Sequence, residues 1–214
     1  MITEILSNNL YTNIDGIKTF GKYPTLQNET VPSHSWWVVF FTNMLIDEML
    51  IENYINTIYS LKLSEFIHYS LNYATFHDYP ENFTGDISFE VKYNEHNGTD
   101  IKKLIDEYEN ICMNKYILNN RSFKTLSKTM NNVHVKSFVK IADWLATIHK
   151  EINEIELGNK RFIDRIEISF DSILLCIDNF IKVNDNLILL DYGFIELFKQ
   201  DLIKLQSNIL NTNK

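Results

Sequence analysis

Apolar residues recur at helical spacing along most of this chain. In "HSWWVVFFTNMLIDEMLIENY" they fall at Trp37, Phe41, Leu45 and Met49, one every four residues, which stacks them on one helix face. Ser33 stands just ahead of that run, and its hydroxyl suits an N-cap. A second helix is predicted from about Leu63 to Asp78. There "EFIHYSLNYATF" is apolar nearly all round, the pattern of a buried central helix. Pro80 and the turn "FTGD" end or kink it. A polar connection, "KYNEHNGTD", ends in two residues that suit a cap for a helix over "IKKLIDEYENICMNKYIL". Residues 112–132, rich in Asn, Lys and Ser, carry little pattern. From about 134 the helical signal resumes in "HVKSFVKIADWLATIHKEINEIELG", with Gly158 as its C-cap. The acids of "KEINEIELG" read as a solvated face with i,i+4 ion pairs. A further helix covers 161–181, and "LILLDYGFIELFKQDLIKLQSNIL" makes the last. Residues 1–15 suit a short helix and 16–33 an ordered loop. Five to seven helices and no strand predict an all-α fold.

Composition agrees. The 214 residues fit a single domain over 1–214, and with 45% hydrophobic and 13% aromatic residues the chain can bury a real core. Six Gly and three Pro are too few for the tight turns of a strand-rich fold. A net charge of -8 argues against a nucleic-acid polymer as partner, because such binding draws its affinity from neutralised phosphates. A few local Lys or Arg still suffice to hold one small phosphate. Cys112 and Cys176 lack metal-type spacing, and two lone thiols with no signal peptide predict a reducing, cytoplasmic setting. The longest apolar run, "WWVVFF" at 36–41, is far too short to cross a membrane, so a soluble protein without a membrane partner is expected.

Candidate chemistry concentrates in "TFHDYPENFTGD", residues 75–86. A His-Asp pair alone is as readily the polar end of a helix. Its company is more informative: Glu81 follows Asp78 by three residues and shares its face if the helical turn persists, and Asp86 ends a Gly-containing turn that can fold back. Three carboxylates and an imidazole within ten residues repel one another unless protons or a cation compensate. A divalent metal does so economically, and His with carboxylate suits Zn, Mn, Fe or Co. Asp143 lies among Phe138, Val139, Ile141, Ala142 and Leu145, where an ionised carboxylate needs a metal or a partner such as Lys140. His34 reads either as a capping or half-buried histidine or as a further ligand. His68, His96, His134 and His149 have no such setting and read as surface or satisfied core.

The order His34, His77-Asp78, Asp143 resembles the H…HD…D signature of the HD-domain metal-dependent phosphohydrolases and, among them, the bacterial 5'-deoxynucleotidases of the YfbR type. Three segments carry the likeness: "GKYPTLQNETVPSHSWWV", "FHDYPENFTGDISFEVKYN" and "VKIADWLATIHKEINEIELGNKRFI"; the final "LDYGFIELF" also fits. The resemblance implies a compact helical bundle with a metal site between central helices. It implies metal ligands at His34, His77, Asp78 and Asp143, and catalytic acids at Glu81 and Asp86. Lys22 and Tyr23 fall where the family has Arg-Trp lining the nucleotide site, and Lys92 is a second candidate for phosphate. Lys holds phosphate as a point charge, and Tyr is smaller than the Trp that crowds a 2'-hydroxyl. Ser33 replaces a common acid just before the first His. The implied function is hydrolysis of deoxyribonucleoside 5'-monophosphates with a divalent ion (Co, Mn, Zn, Fe or Mg). A deoxynucleoside triphosphohydrolase and a non-catalytic nucleotide-binding module are the alternatives. Family members often form homodimers, and the aromatic-rich helices offer surface for one.

Overall fold

The computed structural model describes residues 16–19, 24–49, 63–85, 87, 98–115, 124–184 and 192–212. Among these, eight helical segments follow in order: α1 (Val31–Met49), α2 (Leu63–Phe76), α3 (Glu81–Thr84), α4 (Gly98–Met113), α5 (Lys124–Thr129), α6 (Val133–Glu156), α7 (Phe162–Asn184) and α8 (Tyr192–Thr212). No strand occurs among the described residues; one isolated antiparallel bridge joins Lys18 to Thr30. The fold is all-α, as the periodicity predicts. The helix expected in 1–15 lies outside the described residues.

Helix α6 is the centre of the bundle. It packs on α1, α2 and α7, while α8 closes over α7 and α1. Phe138 of α6 sits between Phe66 of α2, at a centroid distance of 5.4 Å, and Phe180 of α7, at 5.3 Å. All three rings are buried, each removing on the order of 150–250 Å² from water. A smaller core under α3 gathers Tyr79, Met113 and Leu126. It brings α5 and the end of α4 into the fold across the stretch with the least sequence pattern.

Three expectations need correction. Ser33 is not the cap of α1, which starts two residues earlier at Val31. Its Oγ instead accepts the Thr30 N–H (2.8 Å) and donates to the Thr30 carbonyl (2.8 Å). Pro32 suits this first turn, where a missing N–H costs nothing. Helix α2 is not buried all round: Phe66, Ser70 and Ala74 face inward at i,i+4 spacing, while Ser64, Glu65, His68 and Thr75 are exposed. Those polar positions fall at spacings of three, four and seven residues, which puts them on one side of the helix, and the central position belongs to α6. Last, "KEINEIELG" is not a solvated face. The expected ion pair exists, Lys150 Nζ to Glu154 Oε1 at 2.9 Å, but Lys150, Glu151 and Glu154 are all buried. The loop 24–27 lies over Lys150 and Glu154, and Arg165 and Ser169 of α7 meet Glu151.

Both ends of α6 are set locally. Asn132 caps its start, the side chain accepting the N–H groups of His134 (3.0 Å) and Val135 (3.1 Å). At its end Gly158 adopts φ 94, its N–H bonding Ile155 O (2.9 Å) while the Asn159 N–H reaches Glu154 O (2.9 Å). This is the Schellman pattern that the glycine predicts.

Candidate metal centre

Three chain segments meet beside α6. The first turn of α1 presents His34, the turn after α2 presents His77 and Asp78, and the middle of α6 presents Asp143. Helix α2 stops at Phe76 because Pro80 disfavours helical backbone at the residue before it. The chain continues in tight turns, with Tyr79 N–H on Phe76 O (3.1 Å) and Glu81 N–H on Asp78 O (3.0 Å). These turns place two adjacent residues, His77 and Asp78, at one spot. His77 Nδ1 lies 2.9 Å from the Ala74 carbonyl, which fixes that nitrogen as the N–H and leaves Nε2 to face the centre.

Around that centre, His34 Nε2 lies 2.9 Å from Asp143 Oδ1 and 3.8 Å from Asp78 Oδ2. His77 Nε2 lies 3.1 Å from Asp78 Oδ2 and 3.6 Å from Asp143 Oδ1. His34, His77 and Asp143 offer ligand atoms that all lie within 4.8 Å of one another. Ligand atoms about 2.0–2.1 Å from one metal ion at octahedral or tetrahedral angles stand about 2.9–3.4 Å apart, so the spacing fits. His77 Nε2 is also buried without a hydrogen bond, since its approach to Asp78 is near but not aligned. A buried imidazole nitrogen left without a hydrogen bond and ringed by carboxylate oxygens is placed to give its lone pair to a cation that displaces its proton. The group can hold a divalent metal ion.

Charge in the site is held by mutual compensation. Burial works against the imidazolium forms, but Asp143 and Asp78 outweigh it, raising His34 and lifting His77 well above the ordinary histidine value. Burial likewise opposes the carboxylates. The Lys140 ammonium and the two imidazoles override it at Asp143, which is held well below the usual range, and His77 does so at Asp78. Lys140 is therefore a partner of Asp143 as well as its neighbour, ion-paired to Oδ2 one turn away with half its side chain in solvent and its Nζ 5.5 Å from the Trp144 ring centroid.

Of the other expected site residues, Glu81 is buried at the start of α3. Asp86, Lys22, Tyr23 and Lys92 lie outside the described residues. Two of the remaining histidines are satisfied: His134 by Asn184 (3.0 Å), and His149 by Asn153 (3.1 Å) and the Trp37 ring (4.2 Å). His68 is exposed, and His96 lies outside the described residues.

One residue escapes sequence reasoning. Glu29, buried in the loop before α1, brings Oε2 to 3.8 Å from His34 Nδ1, a nitrogen without a hydrogen bond, and accepts the Thr19 hydroxyl at 2.9 Å. It supplies beside His34 the acid that Ser33 lacks. A loop has no periodicity to flag it; the only signal is an acid five residues before the first His.

Comparison with known families adds one finding. The family model described as 5'-deoxynucleotidase YfbR-like matches residues 9–182, which takes in His34, His77, Asp78 and Asp143. No curated protein gives a significant match.

Proposed function

We infer, since the chain belongs to the 5'-deoxynucleotidase YfbR-like family, that it is a metal-dependent phosphohydrolase releasing phosphate from deoxyribonucleoside 5'-monophosphates. The observation that carries the reading is the convergence of two imidazoles and two carboxylates from three segments around the unbonded Nε2 of His77.

In this reading His34, His77, Asp78 and Asp143 hold one divalent ion. When bound, that ion lowers the pKa of a water and neutralises charge on the phosphate. The protein supplies the rest. Lys22, with Lys92 as a second contact, is assigned to the phosphate as a point charge, and Tyr23 is assigned to selection of the sugar. Of Glu81 and Asp86, one takes a proton from the attacking water. The other gives one to the 5'-oxygen as the P–O bond breaks, so the products are a deoxynucleoside and inorganic phosphate. Glu81 suits such a role because its backbone is tied to that of Asp78 by the 3.0 Å bond, which keeps the two acids in register. We also carry a homodimer in this reading; Trp36, Phe40 and Met44 form an exposed apolar stripe on α1 that supports it. Light scattering of the purified protein measures that directly.

The decisive assay is phosphate release from every deoxy- and ribonucleoside 5'-monophosphate with Mn, Co, Mg and Zn, with triphosphates in parallel and each product identified by chromatography. Release from deoxynucleotides alone supports the reading and makes Tyr23 sufficient to exclude the 2'-hydroxyl. Triphosphate released from a triphosphate, with monophosphates untouched, would replace it with a triphosphohydrolase. Binding without turnover would leave a nucleotide-binding module.

A further inference from the structure

A heavily bonded buried charge lies three turns from the metal centre and has no part in the mechanism above. Glu154 is 0% exposed. Its Oε2 accepts the Leu26 N–H at 2.8 Å and its Oε1 the Gln27 N–H at 2.9 Å. Lys150 Nζ donates to Glu154 Oε1 at 2.9 Å and to the Gln27 carbonyl at 2.6 Å. Asn159 Nδ2 donates to Glu154 Oε2 at 2.8 Å and to the Pro24 carbonyl at 3.0 Å. Three side chains from the end of α6 and the turn after it thus grip the backbone of residues 24–27.

Such an arrangement is costly as pure scaffolding. Burying an ammonium and a carboxylate carries a desolvation penalty that a well-packed apolar pair avoids, so a buried ion pair is weak evidence for stability. Geometry is what it provides: four directional bonds to one short stretch of main chain leave that stretch a single position. The Schellman turn at Gly158 brings Asn159 into line for its two bonds.

What the gripped stretch connects gives the device its meaning. Upstream, Pro24 directly follows Lys22-Tyr23 in the sequence. Downstream, the chain runs to Glu29, which faces His34, and into α1. A bridge between 17–19 and 29–31 pins the same loop at its base, with Thr19 N–H on Glu29 O (3.1 Å) and Val31 N–H on Ile17 O (3.0 Å). Eleven residues separate Asp143 from Glu154, about three helical turns, so both project from one face of α6 roughly 16 Å apart. One rigid helix therefore holds the metal-site carboxylate and, on the same face, the anchor of the loop.

We propose that Glu154, aided by Lys150 and Asn159, is a positioning residue for the nucleotide: it fixes the 24–27 backbone and thereby sets the place of the phosphate- and sugar-contacting residues against the metal centre. The proposal rests on the 5'-deoxynucleotidase reading. Substrate never touches Glu154, and its effect passes through the loop.

The test compares wild type, Glu154→Gln, Asn159→Ala and Glu151→Gln, each as metal-loaded full chain, with deoxyribonucleoside 5'-monophosphates as substrate. Glu151 is the matched control, an acid of the same helix, equally buried, that faces Arg165 and Ser169 instead of the loop. Glutamine at 154 turns an acceptor into a donor against N–H groups, and alanine at 159 removes two bonds from a half-exposed site. That second variant keeps the test alive if the first folds poorly. Misplacing a substrate contact by about 1 Å can cost up to about 100-fold, so KM should rise about 10-fold or more in E154Q and by a smaller factor in N159A. Metal content should stay at the wild-type level and kcat within about threefold. E151Q should leave KM unchanged even where its melting temperature falls as far. An unchanged KM in folded E154Q and N159A, or a loss of metal content and kcat in step, overturns the proposal while the enzyme reading stands. A wild type that turns over no monophosphate overturns both.

Discussion

His34 Nε2 and Asp143 Oδ1 stand 2.9 Å apart, although 109 residues separate them in the chain. The contact ties the first turn of α1 to the middle of α6, and His77 Nε2 reaches the same oxygen at 3.6 Å. One carboxylate oxygen thus joins both imidazoles while its twin oxygen takes Lys140. Asp143 is the hub of the centre.

Replacing Asp143 by Asn keeps the shape of the side chain and removes the charge that three cationic partners share. The D143N protein should purify with less than about a tenth of the wild-type metal, and phosphate release should fall about 1000-fold, the loss of roughly 4 kcal/mol of charge stabilisation. Elemental analysis beside the phosphate assay measures both. Wild-type metal content in D143N would remove Asp143 from the centre.

Lys140 compensates Asp143 when no ion is bound, and a bound divalent cation makes it redundant. The side chain is 54% exposed, so the pair contributes roughly 1 kcal/mol or less. K140A should therefore melt below wild type in chelator, and the gap should shrink or vanish with saturating metal, because the ion then supplies at Asp143 the charge compensation that Lys140 otherwise gives, so the variant gains more from metal binding than wild type does. A gap of the same size in both buffers would refute this account.

The helices were legible because their apolar spacing is regular, and Gly158 was legible as an end because capping is local chemistry; Asn132, which caps the other end of α6, lies in a stretch without pattern and gave no such signal. Asp143 was legible for the opposite reason: a carboxylate inside "FVKIADWLATI" violates its surroundings. The acids at 151 and 154 defeated the same logic. They stand among other charged residues, so nothing local marks them as buried; only the loop that covers Glu154 and the α7 arginine that meets Glu151 do so, and neither contact is local in sequence. Glu29 was invisible likewise, since a loop residue is placed by tertiary contacts alone. Helix α2 misled in the other direction, because its Tyr69 and Tyr73 count as apolar while packing only at the edge of the core.

Glu29 sits beside His34 Nδ1, the nitrogen turned away from the centre. An acid in that place orients the imidazole and raises its basicity as a ligand, and losing such a partner typically weakens metal affinity 10- to 100-fold. E29Q should show that loss by competition with a chelator of known affinity, at an unchanged far-ultraviolet spectrum. An affinity within twofold of wild type would mean that the 3.8 Å approach is idle.

Stability should depend on pH through two neighbouring acids with opposite signs. Burial pushes the Glu151 carboxyl up to about 7, against the pull of Arg165 and the Ser169 hydroxyl. Between about 4.5, its value in an unfolded chain, and 7, the folded protein keeps a proton that the unfolded one has released, so stability falls as pH rises through that window. Glu154 behaves inversely. Burial opposes its charge, yet the Leu26 N–H, Asn159, the Gln27 N–H and Lys150 together bring it down to about 2. Its contribution is present above about 4.5 and is lost as pH falls from there towards 2. Melting curves in chelator from pH 2 to 8, which keep bound metal out of the comparison, separate the two. E151Q should flatten the decline between 4.5 and 7 and leave the acid limb in place; E154Q should flatten the acid limb alone. An E151Q profile parallel to wild type from 4.5 to 7 would mean that Glu151 is ionised throughout, held so by the 2.6 Å bond from Arg165 Nε.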